Sequence, residues 1–115
     1  MNTIPSIDCL LVVCNVPDQQ LAGQIAATLV AEQLAACVNI LPPCRSVYRW
    51  QGAVEQAEET PLLIKTRRDA YPRLESRLAQ LHPYEVPEII ALPLERGLPS
   101  YLTWVSSCVL SSGGG

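Results

Sequence analysis

The sequence predicts a small α+β domain in which helices cover one face of an antiparallel sheet. Three observations support this prediction. Residues 9–14 form a continuous apolar run of strand length. Residues 18–35 repeat apolar side chains at helical spacing. Residues 44–51 and 53–66 are two extended segments rich in β-forming residues, on either side of Gly52. The length of 115 residues is that of one domain.

The first part of the chain predicts a strand, a helix and a second strand. Pro17 ends the first strand, and Asp18 is a suitable N-cap for the helix that follows. The apolar stripe of this helix is formed by Leu21, Ile25, Leu29 and Leu34, with Ala22 and Ala26 beside it. Residues 37–41 then predict a second strand, which Pro42 and Pro43 break or bend.

The middle of the chain predicts a long hairpin. The second strand resumes over residues 44–51, Gly52 makes the turn, and residues 53–66 return as the third strand. Pro61 cannot donate to a ladder, so it marks an edge or a bulge of the returning strand. These two strands are too long for the sheet of so small a domain and would expose unpaired backbone edges. A second chain would satisfy such edges best, so the sequence predicts a homo-oligomer.

The last part of the chain predicts a helix, a strand and a short final helix. Asp69 can cap the helix, which runs to about Leu81 and ends before Pro83. The final strand spans residues 89–94, and Ser100 can cap the last helix. The order is therefore β-α-β-β-α-β with a C-terminal helix, which is the ferredoxin-like arrangement.

Domain limits and composition narrow the classes of function. We expect an N-terminal extension over residues 1–8, one domain over 9–110 and a flexible tail over 111–115. The net charge is −3 and the eight basic residues form no stripe, so nucleic acid is not an expected partner. No apolar run approaches a membrane span, and no signal peptide is evident, so we expect a cytoplasmic protein without membrane contact. The five cysteines are widely spaced and include no C-x-x-C pair, which predicts reduced thiols.

The densest group of functional side chains lies in residues 82–88. Two prolines stiffen a segment that contains His82, Tyr84, Glu85 and Glu88. Imidazole together with carboxylates suits a divalent metal ion. The alternative is a surface histidine that caps a helix and neutralises a glutamate.

A second group lies in residues 44–51, where the second strand resumes. Alternation places Ser46, Tyr48 and Trp50 on one face, where they would line a ligand pocket or a subunit interface, or simply pack.

Two single residues, Lys65 and Cys37, are also candidates. Lys65 stands in an apolar strand and needs a partner if it is buried, for which Glu59 or Glu88 is available; otherwise it reaches solvent past the sheet edge. Cys37 could bind a soft metal such as Cu(I), or pack as an inert thiol.

The common enzyme patterns are missing from the sequence. There is no glycine-rich phosphate loop, and no serine or cysteine has an obvious His–Asp support. The sequence therefore favours a binding or sensing module over an enzyme, and an activity that uses His82 as acid or base is the weaker alternative.

Five motifs, taken in order, resemble one known family, the CutA divalent-cation tolerance proteins. The resemblance extends over about residues 9–108. The motifs are Ala35-Ala36-Cys37-Val38-Asn39-Ile40, Ser46-x-Tyr48-x-Trp50-x-Gly52, Lys65-Thr66, His82-Pro83-Tyr84-x-x-Pro87-Glu88 and Tyr101-x-x-Trp104.

The resemblance implies a ferredoxin-like fold, an intertwined homotrimer like that of the PII signalling proteins, and tolerance of divalent cations, copper in particular. Cys37 matches the family cysteine that is discussed for copper, and with His82 and Glu88 it makes our predicted metal set. The residues that match a cleft between subunits are Trp50, Glu59, Lys65, Tyr84, Tyr101 and Trp104.

The chain also departs from the family pattern. The pair Cys14-Asn15 stands where the family often has Thr or Ser, and Thr60-Pro61 replaces residues that are commonly apolar. The remaining thiols, which are not family marks and could bind soft metals for other reasons, are Cys9, Cys14, Cys44 and Cys108.

The expected function is that of a trimeric metal-binding or metal-responsive module in copper or other divalent-cation tolerance. Its expected partners are copies of itself and divalent metal ions. The alternative is a PII-like signalling or adaptor trimer whose inter-subunit cleft binds a small metabolite or anion through Lys65, Tyr84 and the tryptophans.

Overall fold

The computed structural model describes residues 8–111, so most of the predicted N-terminal extension and tail lies outside the described residues. Within that range the chain forms five strands and three α-helices. They are β1 (Cys9–Val16), α1 (Gln19–Ala31), β2 (Cys37–Ile40), β3 (Cys44–Trp50), β4 (Ala53–Arg67), α2 (Tyr71–Leu81), β5 (Ile89–Pro93) and α3 (Pro99–Ser107). Across the described residues, no helix is both long enough and apolar enough to span a membrane.

The strands form an antiparallel sheet in the order β2-β4-β1-β5. This order, with the observed sequence of helices and strands, confirms the predicted ferredoxin-like α+β fold. Residues 60–67 of β4 pair with β1, whereas residues 53–59 pair with β3 alone. We call β3 together with residues 53–59 the ribbon, because it projects beyond the four-stranded sheet.

One face of the sheet is covered by α1 and α2. Alternate residues of β1 and β4 point to this face, and their side chains join those of the two helices in one cluster. Its fully buried members include Val12, Cys14, Ile25, Leu29, Leu62, Ile64, Leu74 and Leu78. This is the main core of the domain.

The opposite face of the sheet is covered only at one end. There α3 packs Leu102 and Val105 against Cys9. Further along the same face, Leu11, Val13 and Leu63 are only partly buried, and on β5 Ile90 and Leu92 are about half exposed. Residues 8–111 therefore leave a largely apolar sheet face without a covering layer.

Helix starts were predicted with mixed success. The Asp18 cap of α1 is confirmed, because its carboxylate accepts from the Leu21 N–H at 2.8 Å. The prediction for α2 is wrong: Asp69 lies in a short 3₁₀ turn before the helix and pairs with Arg67 at 2.9 Å. The prediction for α3 is also wrong, because Pro99 occupies the first turn and Leu98 the cap position. A proline suits the start of a helix, since its fixed φ is already helical.

The ribbon ends in a two-residue turn at Gln51 and Gly52. Both residues have positive φ, 50° and 82°, which suits the twist of a tight hairpin. At the other end of the ribbon, Pro61 lies where β2 has just ended, and its carbonyl accepts from the Leu41 N–H at 3.0 Å. The N–H and C=O of a strand residue point to the same side of the strand. The Pro61 nitrogen, which carries no hydrogen, therefore lies on the side where β2 has ended. The prediction of an edge or a bulge of β4 at Pro61 is wrong: the residue lies opposite Asn15 of the central strand β1 in an unbroken register, and the sheet tolerates it because β2 ends there.

Candidate functional site

A groove of about 610 Å³ lies between the ribbon and the loop that follows α2. It is lined by Asn15, Ser46, Val47, Tyr48, Trp50, Glu59, Tyr84, Glu85, Val86 and Glu88. The ribbon supplies one wall, and residues 84–88 supply the other. Both groups that the sequence singled out, the aromatic face of β3 and the segment after α2, therefore meet in one cavity.

Glu59 and Tyr84 join the two walls of the groove. The Tyr84 hydroxyl donates to the Glu59 carboxylate at 2.9 Å, and Glu59 is only 8% exposed. Burial, followed by the hydrogen bond to Glu59, raises the pKa of Tyr84 to about 12; the nearby Tyr48 acts in the same direction. The phenol is therefore a neutral donor at physiological pH.

His82 is held at the base of the same loop by two backbone groups. Its Nδ1 accepts from the Tyr84 N–H at 3.2 Å, so the proton is on Nε2, which donates to the Asn15 carbonyl at 2.7 Å. The ring is 7% exposed and lies 4.6 Å from the Tyr84 ring, centroid to centroid. The interpretation of His82 as a surface residue is wrong, although it does occupy the C-cap position of α2.

Asn15 connects His82 to Glu88. Its carbonyl accepts from the imidazole, and its side-chain amide donates to the Glu88 carboxylate at 3.3 Å. Sequence reasoning noted Asn15 only as a departure from a family pattern. The available signal was a polar side chain at the end of a buried apolar strand, where its own amide has to find partners.

The charged side chains that line the groove are all acidic. Its lining includes the carboxyl groups of Glu59, Glu85 and Glu88 and no lysine or arginine. A cleft lined by one sign of charge concentrates ions of the other sign. The groove therefore favours cations over anions.

Cys37 and Lys65 lie in a different place. They are paired across β2 and β4, with the Lys65 Nζ 4.0 Å from the Cys37 Sγ. The ammonium also donates to the Asn39 side-chain oxygen. Lys65 is six residues along β4 from Glu59, a distance of about 20 Å. The predicted partnership of Lys65 with Glu59 or Glu88 is therefore wrong, because strand register gives Lys65 the Asn39 amide instead.

The predicted metal set does not assemble within one chain. His82 and Glu88 both contact Asn15, but Cys37 is on β2 beside Lys65. In residues 8–111 no group of three or more His, Cys, Asp or Glu side chains is arranged to hold a metal ion. In these residues the donor set therefore does not amount to a complete site for a bound metal.

A different thiol, Cys14, lies near the acidic residues of the groove. It precedes Asn15 on β1, and it is fully buried. Burial, with further contributions from Glu88 and Glu59, raises the pKa of Cys14 to about 12. No local pattern ranks Cys14 above Cys37, because strand register decides which thiol lies at which end of the sheet.

The residues predicted to form a cleft lie in three places, one of which is the position of Lys65 beside Cys37. Trp50, Glu59 and Tyr84 line the groove, as described above. Tyr101 and Trp104 lie on α3, with ring centroids 5.6 Å apart and both rings partly exposed, and neither lines the groove.

Comparisons with known proteins agree on one family. The sequence pattern described as "CutA1 divalent ion tolerance protein" matches residues 10–108. A divalent-cation tolerance protein CutA from Thermus thermophilus is 50% identical over 95 residues, which are 83% of this chain and 92% of that protein.

Two solved structures extend the similarity to the fold. The divalent cation tolerance protein from Thermus thermophilus has a TM-score of 0.86 at 48% identity and covers 88% of this chain and 98% of its own. The CutA1 protein from a Shewanella species has a TM-score of 0.88 at 39% identity and covers 90% of this chain and 97% of its own.

Proposed function

The chain belongs to the CutA1 divalent ion tolerance protein family, and we propose that it is a homotrimeric metal-binding or metal-responsive module that acts in tolerance of divalent cations, copper among them. The observation that carries the proposal is the charge of the groove. Three carboxyl groups and no basic side chain line it, so it attracts cations.

The assembly is supported by surfaces that the chain leaves uncovered. In the described part of the chain, the sheet face that carries Leu63, Ile90 and Leu92 lacks a covering layer over most of its length. In the ribbon Val47 and Val54 are 60% and 65% exposed. Contiguous apolar surface of this kind is typical of protein interfaces. Other copies of the chain would cover both regions.

The metal ion is a ligand of this module rather than a resident cofactor. His82 and Glu88 are the proposed ligands, since Asn15 holds both at the same end of the groove. Coordination through the His82 Nδ1 requires that nitrogen to release the Tyr84 N–H. Further ligands would come from another copy of the chain, because Cys37 of the same chain lies elsewhere and Cys14 is fully buried with a raised pKa.

The test is a calorimetric titration of Cu(II) into the protein, with His82→Ala and Glu88→Gln beside it. We expect saturable binding that either substitution weakens by at least about tenfold, as is typical when a metal ligand or its supporting partner is lost. Cys37→Ser tests whether the partly exposed thiol of another copy contributes, and it should then weaken binding as well. Weak binding that none of these variants changes would overturn the proposal.

A second candidate function is that of a PII-like signalling or adaptor trimer that binds a small metabolite. The groove volume favours it, because about 610 Å³ is within the range of small-molecule sites. An anionic metabolite is disfavoured in this groove, since Lys65 lies outside it. A thermal-shift screen tests this function, because a ligand that binds the native state must raise the unfolding temperature. A screen without any stabilising compound would count against it.

We propose a binding role rather than catalysis for both candidates. Both ring nitrogens of His82 are engaged with backbone groups, which suits a positioning role more than proton transfer.

A further inference from the structure

We propose that the groove also binds a small organic cation of the alkylammonium class, held between Tyr48, Trp50 and Tyr84 and facing the carboxylate of Glu59. This site goes beyond the divalent-metal proposal and shares the acidic groove with it. It uses the aromatic part of the groove and Glu59, whereas the proposed metal ligands are His82 and Glu88.

The aromatic wall of the groove follows from strand alternation. Tyr48 and Trp50 are two residues apart on β3, so their side chains lie on the same face of the ribbon. On this face of the ribbon Trp50 lies opposite Ala53, whereas Tyr48 lies opposite Glu55, a further carboxylate beside the aromatic rings. Both rings remain partly free: Tyr48 is 44% exposed and Trp50 is 40% exposed.

Tyr84 completes the wall from the opposite side. Its hydroxyl is tied to Glu59, which fixes its position relative to the ribbon. The groove therefore offers three aromatic side chains from two elements. Aromatic faces attract ammonium groups, and several faces around one cavity are the known means of binding quaternary ammonium ions.

Glu59 supplies the charge that such a ligand would neutralise. It is the most buried carboxylate of the lining, and its hydrogen-bond partner, the Tyr84 hydroxyl, is neutral. Among residues 8–111 no lysine or arginine makes an ion pair with it. A buried carboxylate without a counter-charge is unfavourable, and an organic cation in the groove would relieve this.

The donor set at this part of the groove suits an organic cation better than a metal ion. Hard divalent cations take six or more oxygen ligands, and copper and zinc prefer nitrogen or sulfur donors. The aromatic part of the groove offers the Glu59 carboxylate, the hydroxyls of Ser46, Tyr48 and Tyr84, and ring faces. Ring faces attract ammonium ions but do not coordinate hard metal ions.

The experiment uses choline as the probe and 3,3-dimethylbutan-1-ol, its uncharged analogue of nearly the same shape, as the control ligand. The chain has two tryptophans, so Trp104→Phe leaves Trp50 as a reporter inside the groove. We expect choline to change Trp50 fluorescence in a saturable way at constant ionic strength. The neutral analogue should bind at least about tenfold more weakly, since it lacks the charge that the rings and Glu59 attract.

Two variants test the assignment in the same reporter background. Tyr48→Leu removes an aromatic face, and Glu59→Gln removes the buried charge but keeps an acceptor for Tyr84. Each should weaken choline binding by about tenfold. Glu58→Gln is the matched control, because it removes the same charge one residue away, on the opposite face of β4. It should leave choline binding unchanged.

The outcomes separate this site from the metal site. Equal responses to choline and its neutral analogue, or equal effects of Glu58→Gln and Glu59→Gln, would overturn the organic-cation proposal and leave the copper titration untouched. Loss of copper binding in His82→Ala with choline binding retained would support two separate sites. Circular dichroism of each variant checks that a lost response does not come from a lost fold.

Discussion

The two halves of β4 share one continuous strand but have different surroundings. Residues 60–67 lie in the sheet, where Thr60, Leu62, Ile64 and Thr66 are buried one after another on the helix-covered face. Residues 53–59 pair with β3 alone, and most of their side chains are exposed. The side chains of residues 60–67 are therefore packed by their own chain, whereas most side chains of residues 53–59 are left exposed.

This difference indicates that residues 60–67 contribute to stability and that residues 53–59 are available for binding. A two-stranded ribbon is marginally stable by itself in water, so the outer half needs support from elsewhere. The Tyr84–Glu59 hydrogen bond gives part of that support at the inner end of the ribbon. The exposed valines and the aromatic face of β3 remain available for ligands or for other copies of the chain.

The largest expected contrast comes from shortening one apolar side chain in each half. Leu62→Ala removes a fully buried side chain and should lower the free energy of unfolding by about 2–5 kcal/mol. Val54→Ala, at a 65% exposed position, should change it by no more than about 0.5 kcal/mol unless another copy covers the ribbon. Urea unfolding at several protein concentrations measures both. Equal losses at all concentrations would contradict the division of β4.

A smaller contrast comes from two tyrosine–glutamate hydrogen bonds of similar length. Tyr84 donates to the buried Glu59 at 2.9 Å, and Tyr71 donates to the exposed Glu75 at 2.8 Å. Tyr84→Phe should cost about 1 kcal/mol or more, because it leaves a buried carboxylate without this donor, whereas Tyr71→Phe should cost less. Thermal or urea unfolding of the two variants measures the difference.

The same two tyrosines predict a dependence on alkaline pH. Burial followed by the glutamate hydrogen bond raises both pKa values to about 12 in the folded protein. The folded state then keeps the phenolic proton above the ordinary pKa of 10, so this contribution to stability falls as the pH rises from about 10 to about 12. The fall should be shallower in the double variant with Tyr71→Phe and Tyr84→Phe. An unchanged slope would contradict the assignment.

The smallest expected contrast comes from two glycines. Gly52→Ala places a side chain at φ 82° in the ribbon turn and should cost about 1 kcal/mol locally. Gly23 lies inside α1 with open space at its Cβ position, so Gly23→Ala should stabilise the protein by up to about 1 kcal/mol. Thermal unfolding temperatures should move in opposite directions. Stabilisation by Gly52→Ala would show that the turn does not have this conformation.

The sequence predicted the architecture because local patterns and topology agree. The apolar run of β1, the Asp18 cap and the turn at Gly52 each depend on a few neighbouring residues, and all are present in the structure. The predicted caps at Asp69 and Ser100 were wrong because neighbouring residues start each helix in another way. Asp69 pairs with Arg67, and Pro99 starts its helix one residue earlier.

The candidate site was only partly predictable for a different reason. Residues 82–88 and the aromatic face of β3 were visible as motifs, and both line the groove or its base. Which residues meet across the sheet depends on strand register, which no local pattern gives. Register places Cys37 beside Lys65, and it places Asn15 at the end where His82 and Glu88 meet.

The most direct test of whether the chain is completed by its own copies is its mass in solution, measured by multi-angle light scattering over a range of protein concentrations. The proposed trimer, in which other copies would cover the exposed sheet face and the ribbon, predicts a species of three times the 12.6 kDa chain mass that persists on dilution. A species with the mass of a single chain at all concentrations would contradict this account. The groove would then have to bind its ligands without help from another copy.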